Sequence, residues 1–164
     1  MPTIRVATPD DAAPLARLRY EFRAAERGAT EPRDRFVARC TEWMRGRLLE
    51  ASWRCFVALA EDTIVGHVWL SLIEKVPNPG GDEPERHVYL TNLYVRPTAR
   101  GGTGSALMEA ALAWCRDQNV DAVFLWPTER SRSLYERYGF RTRDAIMARA
   151  KVMETRSPEP GAAL

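Results

Sequence analysis

The sequence predicts one α/β domain of the α+β type: a sheet of about six to seven strands with about four helices. Three observations carry this. Short apolar runs rich in β-branched residues alternate with amphipathic stretches of helical spacing. Two of the runs are joined by a two-residue polar turn, the mark of an antiparallel hairpin. A later run passes through a glycine cluster directly into an alanine-rich helix.

Taken in order, Thr3 to Ala7 alternates like a short strand, and Thr8-Pro9-Asp10-Asp11 supplies a helix N-cap, a first-turn proline and an acid at the third position. The helix that follows carries Leu15, Leu18, Phe22 and Ala25 on one side and ends at Gly28. A second amphipathic helix places Phe36, Cys40, Trp43 and Leu48 together. Trp53 to Ala60 and Thr63 to Ile73, separated by Glu61-Asp62, form the hairpin. Val76 to Arg86 carries prolines, glycines and acids and reads as an exposed loop. His87 to Val95 is a strand, closed by Pro97, and Gly101-Gly102-Thr103-Gly104 opens the helix Ser105 to Arg116. Val120 to Trp126 is a strand, Thr128 to Tyr138 a short helix closed by Gly139, and Phe140 to Ala150 one or two closing strands. Trp53, Trp69 and Trp126 read as core residues in strands. Residues 1–153 are expected to form the domain and 154–164, without core-forming residues, a frayed tail.

Composition narrows the function classes. With 164 residues, 45% of them apolar, the chain has enough material for one real core. Its formal charge of +2 is a small difference between 24 basic and 22 acidic residues, and no basic run dominates, so no nucleic-acid partner is expected. Cys40, Cys55 and Cys115 form no CxxC pair and suit a reducing compartment as small packed hydrophobes. Met1 to Asp10 lacks a signal-peptide pattern and no apolar run approaches the ~20 residues of a bilayer span, so a soluble, cytoplasmic protein without a membrane partner is expected. No His/Cys/Asp/Glu spacing suggests a metal.

The glycine loop is the informative motif. At the head of a helix several backbone N–H groups lack partners and the macrodipole adds positive charge, so glycines there let a phosphate come close. The loop matches neither a Walker A motif nor GxGxxG of a dinucleotide-binding unit. Taken with Leu93-Tyr94-Val95-Arg96-Pro97-Thr98-Ala99-Arg100-Gly101-Gly102-Thr103-Gly104-Ser105-Ala106-Leu107, and with Leu134-Tyr135-Glu136-Arg137-Tyr138-Gly139-Phe140 about thirty residues on, it resembles the signature of the GNAT superfamily of N-acetyltransferases. The resemblance covers roughly residues 3 to 150. It implies a mixed, mostly antiparallel sheet whose fourth and fifth strands splay apart at a bulge, with acetyl-CoA as the acyl-donor cosubstrate and no metal. Backbone groups of Leu93, Tyr94 and Val95 would line the pantetheine arm. Amides from Arg100 through Gly101, Gly102, Thr103, Gly104 and Ser105 would hold the pyrophosphate, with Arg96 and Arg100 adding charge. Against the family's Arg-Gly-x-Gly-x-Gly, this loop is one residue shorter when Arg100 is aligned, or carries Ala99 in the Arg position when the glycines are aligned.

Acetyl transfer requires an unprotonated amine, donors for the developing oxyanion and an acid for the departing thiolate. By resemblance Tyr135 is that acid; a phenol pKa of ~10 lies close enough to a thiol's ~8.5 for proton donation. Its alternative role is to cover a sheet edge, as assigned to Tyr138. The fourth strand carries no carboxylate, so a water chain is the leading base, with His67 and His87 as alternatives or packed strand residues, while Glu83 and Glu85 either attract a cationic amine or form a solvated acidic loop. Asn92 either orients the substrate or satisfies the backbone at the bulge. Ser131 and Ser133 either reach CoA or cap the short helix. The acceptor is expected to be a small-molecule amine of unread identity, and a homodimer is left open. A non-catalytic CoA-binding regulatory module is the rival function.

Overall fold

The computed structural model describes residues 2–77, 79 and 85–143. Strand β1 (Thr3–Val6) leads through a 3-10 turn, Pro9–Asp11, into α1 (Ala12–Arg27). Helix α2 (Arg33–Leu48) follows, then β2 (Trp53–Ala60), β3 (Thr63–Glu74) and β4 (Arg86–Val95). A second 3-10 turn, Pro97–Ala99, precedes α3 (Thr103–Asp117), and β5 (Ala122–Phe124), a third turn (Glu129–Ser131) and α4 (Arg132–Arg137) complete the described elements.

The strands lie in the order β1-β2-β3-β4-β5, antiparallel except for the parallel pair β4-β5. This is the mixed, mostly antiparallel sheet expected, but with five strands among the described residues instead of six to seven. The shortfall lies at the C-terminal end. Phe140 to Arg143 follow α4 without forming a strand, and the rest of the expected closing strands, with the tail, lies outside the described residues. Glu83, in the expected loop, also lies outside them.

The middles of β2 and β3 are buried on both sides, Cys55 to Ala58 and Ile64 to Leu70, because helices cover both sheet faces. On one face α1 and α2 enclose Cys55, Val57, Ile64 and Trp69. On the other, α3 and Tyr135 of α4 pack on Phe56, Ala58, Val65, Val68, Leu70, Val88 and Leu90. The alternation through β2 and through Val68, Trp69 and Leu70 is the period-2 signature of a strand buried on both sides. Gly66 is required in β3: a Cβ there would sit 2.9 Å from the Tyr94 carbonyl oxygen and 3.2 Å from Val95 Cγ2.

The entry to α1 is fixed by Asp11. Its carboxylate accepts from the Thr8 N–H at 2.7 Å and from both terminal nitrogens of Arg5 at 2.7 and 2.9 Å, tying β1 to the helix start. The Arg5 hydrogen bonds hold the Asp11 pKa below its ordinary value, against the opposing effect of burial. A carboxylate whose folded pKa is lowered stabilises fully above the unfolded value of about 4 and loses that contribution as pH falls through the folded value. Asp11→Asn is therefore expected to cost about 1–3 kcal/mol at pH 7 and to flatten the acid limb of the stability curve below pH 4. Urea unfolding at pH 7 and at steps toward pH 3 measures both effects.

Candidate functional site

The site begins where β4 and β5 part. Their pairing runs His87 with Ala122, Val88 with Val123 and Tyr89 with Phe124, and stops. Strand β4 continues to Val95, still paired to β3, through a bulge: His67 faces Tyr94, Trp69 faces Thr91, and Asn92 and Leu93 share the position opposite Val68. Asn92 takes φ 55°, left-handed backbone that asparagine tolerates better than most residues. The bulge turns β4 away from β5, so the β4 edge after Tyr89 has no strand partner among the described residues. Leu93 and Val95 pack against the α3 side of the core, and Tyr94 stacks on Phe22 of α1 with ring centroids 4.9 Å apart.

At the end of β4 the chain passes Arg100 into Gly101 and Gly102, at φ 107° and 108°, and Gly102 is the N-cap of α3. Only glycine adopts such backbone freely. The first bond into α3 runs from Ala106 N–H to Gly102 O, which leaves the N–H groups of Thr103, Gly104 and Ser105 without intrahelical acceptors. The Thr103 hydroxyl is committed to the Ala99 carbonyl at 2.6 Å, so its contribution to an anion is its amide.

The arginines divide. Arg96 forms a two-pronged pair with Glu21 of α1, Nε to Oε2 at 3.1 Å and Nη2 to Oε1 at 3.0 Å, while Arg100 is exposed at the loop. Burial and then the Glu21 carboxylate raise the Tyr94 pKa, against the lowering pull of Arg96, Arg100 and Arg130. Three guanidiniums thus lie within electrostatic reach of one phenol beside the loop. Arg130 sits in the turn before α4 and was not singled out from the sequence; nothing in its local pattern marks it.

Tyr135 is buried on the same sheet face as α3, its ring 5.8 Å from that of Phe140. Burial raises its pKa, the Ser131 hydroxyl opposes, and the Tyr89 phenol raises it further. Tyr135 is therefore a neutral phenol at pH 7, electrostatically coupled to the last β4 residue paired with β5. Tyr138 instead clips α4 to α3, its hydroxyl 3.2 Å from the Ser105 carbonyl and 3.1 Å from Glu109 Oε1. The Ser131 hydroxyl completes a capping box with Thr128, accepting from its N–H at 3.0 Å, the helix-cap alternative raised by the sequence. Ser133 is exposed.

His67 is fully buried and burial, followed by the Arg19 charge, lowers its pKa to about 3 against the raising influence of the Asn92 backbone. An imidazole so weakly basic stays neutral and does not hold a proton taken from an ammonium. His87 lies at the far, closed end of the β4-β5 pairing. Trp126 departs from expectation. It is 65% exposed and outside any strand, its ring edge-on to Tyr89 at 4.9 Å, because β5 ends at Phe124 where β4 turns away.

On the opposite sheet face a cavity of about 420 Å³ opens between α1, α2 and strands β2 to β4. Trp43, Trp53, Trp69 and Tyr89 form much of its wall, and Asn92 and Arg19 stand at the β4 bulge, with Arg19 Nη1 donating to Asn92 Oδ1 at 2.7 Å. Among the described residues no His/Cys/Asp/Glu group could hold a metal ion, and no helix is long and apolar enough to cross a membrane.

Solved structures share this architecture. A GCN5-related N-acetyltransferase from Ralstonia eutropha JMP134 is 25% identical with a TM-score of 0.70, the match covering 91% of this chain and 98% of that one. A predicted acetyltransferase from Clostridium acetobutylicum, crystallised with acetyl-CoA, is 21% identical with a TM-score of 0.71 over 90% and 95% of the two chains. The aminoglycoside N-acetyltransferase AAC(6')-Iy in complex with CoA is 17% identical with a TM-score of 0.69 over 93% and 95%. No curated protein matches in sequence. The model of the acetyltransferase (GNAT) family matches residues 15–140, from α1 through the glycine loop to just past α4, and the chain belongs to that family.

Proposed function

We propose that this protein transfers the acetyl group of acetyl-CoA directly to the amine of a small acceptor within a ternary complex. The observation that carries the reading is the unpaired β4 edge running from Tyr89 straight into the amide-headed start of α3. A thin polar arm fits along such an edge and a pyrophosphate fits at its end. Added Cβ atoms at Gly101 and Gly102 would meet nothing within 4 Å, so the loop presents open space above its amides. In this reading the backbone of Leu93, Tyr94 and Val95 pairs with the pantetheine arm. The amides of Gly101, Gly102, Thr103, Gly104 and Ser105 bind phosphate oxygens. Arg100 and Arg130 add charge, and Arg96, held by Glu21, stiffens the approach to the loop.

Bound acetyl-CoA supplies an activated thioester carbon. The unprotonated acceptor nitrogen bonds to it, the carbon–sulfur bond breaks, and the amine proton leaves through water, since no carboxylate stands on β4. Tyr135 gives its phenolic proton to the departing sulfur. Its raised pKa keeps that proton in place across the neutral range. Asn92, at the bulge beside the cavity, orients the amine.

Tyr135→Phe is expected to lower kcat by about 10²–10⁴-fold, the usual weight of a general acid, with the dissociation constant for acetyl-CoA unchanged. Thiol release across an amine panel, with calorimetric acetyl-CoA binding alongside, measures both. An unaltered kcat would remove Tyr135 from proton transfer, and binding without release for any amine would favour a CoA-responsive regulatory module.

A further inference from the structure

The cavity walls define an acceptor chemistry. Arg19 is a half-buried guanidinium that forms no ion pair with any carboxylate among the described residues. Besides a contact with the Phe22 ring at 5.8 Å, its one side-chain hydrogen bond among the described residues, to Asn92, uses a single nitrogen of a five-donor fork. The second arginine on the cavity, Arg39, is already committed to Glu31 at 2.7 Å. Burial followed by the Arg23 charge lowers the Arg19 pKa against the weaker raising effects of Cys40, Glu26 and Tyr89, and Glu26 is itself paired with Arg23 at 3.3 Å. An anionic group on the ligand would supply the missing partner.

The distance from Arg19 to Asn92 then constrains the ligand. Asn92 marks the bulge where the amine must meet the thioester, and Arg19 stands 2.7 Å from its side-chain oxygen. An anion held by Arg19 therefore lies close to the reacting nitrogen, as the carboxylate and amine of an α-amino acid do across one carbon. The rest of the cavity is aromatic. Trp43 stands edge-on to Trp53 at 5.3 Å and 6.0 Å from Trp69, and Trp53 lies 6.2 Å from Trp69. Trp43 remains 45% exposed despite this clustering, which leaves indole surface for a ligand. A volume of about 420 Å³ is near the lower end of the ~300–1,000 Å³ of ligand sites and suits one small molecule.

We propose that the acceptor is a free α-amino acid with an aromatic side chain, its carboxylate on Arg19, its amine beside Asn92 and its ring among Trp43, Trp53 and Trp69. The assignment rests on the acetyl-transfer reading for its chemistry and for the amine's place at Asn92, but not for the carboxylate on Arg19 or the ring in the cavity. The test pairs rates of thiol release from acetyl-CoA with calorimetric binding to the CoA-loaded protein, for L-tryptophan, L-phenylalanine, L-tryptophanamide and tryptamine. The free amino acids are expected to exceed the amide and the decarboxylated amine at least tenfold in both kcat/KM and affinity. Arg19→Met is expected to raise KM for the amino acids at least tenfold and to erase their advantage over tryptamine, without altering acetyl-CoA affinity. Arg19→Lys, which keeps the charge but loses the fork, should recover part of the loss. Equal use of tryptamine or the amide, or an Arg19→Met KM equal to wild type, would overturn the proposal, as would failure of both amino acids to bind. Binding of the amino acids through Arg19 without thiol release would uphold the site and overturn acetyl transfer instead.

Discussion

Trp69→Ala is expected to lower the unfolding free energy by about 3–5 kcal/mol, a fifth or more of the ~5–15 kcal/mol that holds an ordinary domain together. Trp69 is 1% exposed and packs between the sheet and α1 and α2, touching the same cluster as Leu15, Leu18, Met44 and Val57. Truncation to a methyl group removes the largest fully buried side chain among the described residues and leaves a void that two helices and a strand cannot close together. Trp69→Phe should be far milder. It keeps most of the ring surface and deletes an indole N–H that is buried without a hydrogen-bonding partner among the described residues, so the cost is expected below about 1.5 kcal/mol. Urea unfolding of the two variants gives the comparison. A cost under 1 kcal/mol for the alanine variant, on the scale of a surface substitution, would show that the α1–α2 face is loosely packed.

Gly102→Val is expected to raise the dissociation constant for acetyl-CoA at least tenfold while leaving most of the fold intact. At φ 108° and ψ −21° the N-cap of α3 lies where a β-branched residue is held only under strain of about 1–3 kcal/mol. The chain relieves that strain by rotating the loop, and rotation misdirects the amides of Thr103, Gly104 and Ser105. Gly104→Ala is the control. Its Cβ would meet only Leu134 Cδ2, at an ordinary 3.6 Å, and the position is helical, so stability is expected to hold or rise by a few tenths of a kcal/mol. Thermal stabilisation by acetyl-CoA reports both variants, because ligand binding to the folded state stabilises it by RT ln(1 + L/Kd), with L the free ligand concentration, so a weaker Kd gives a smaller shift at the same concentration. An unchanged shift for Gly102→Val would detach the glycine loop from donor binding.

What the sequence made legible was local. Thr8, Pro9 and Asp11 announce α1 because capping is decided within four residues, and the Glu61-Asp62 turn announces the β2-β3 hairpin for the same reason. The glycine cluster announces a helix start because backbone at φ above 100° admits little else. The pairings that shape the two half-sites were not legible. Arg19 and Asn92 are 73 residues apart, and Glu21 and Arg96 are 75 apart, so neither pairing leaves a pattern in any window of the chain. Trp126 misled for a related reason. The apolar run from Val123 to Leu125 reads as a strand continuing through the tryptophan, but strand length is set by the partner, and β4 bends away after Tyr89. His67 reads from sequence as a titratable group in a strand; only its complete burial reveals that it does not titrate near neutrality.

The bulge at Asn92 has a further consequence, for what the protein excludes. A row of free backbone donors and acceptors is ordinarily an invitation to a strand from another molecule, and sheets protect their rims against it. Here the free row lies inside the sheet, in the fork between β4 and a β5 that is anchored at its base by three paired residues. A polypeptide strand entering such a fork brings side chains on both faces and a second edge of its own, and would have to wedge β5 aside. A single unbranched amide-bearing chain brings neither. The fork is thus a gauge of thickness, open to a ligand one chain wide and closed to the strand that its hydrogen bonds would otherwise attract.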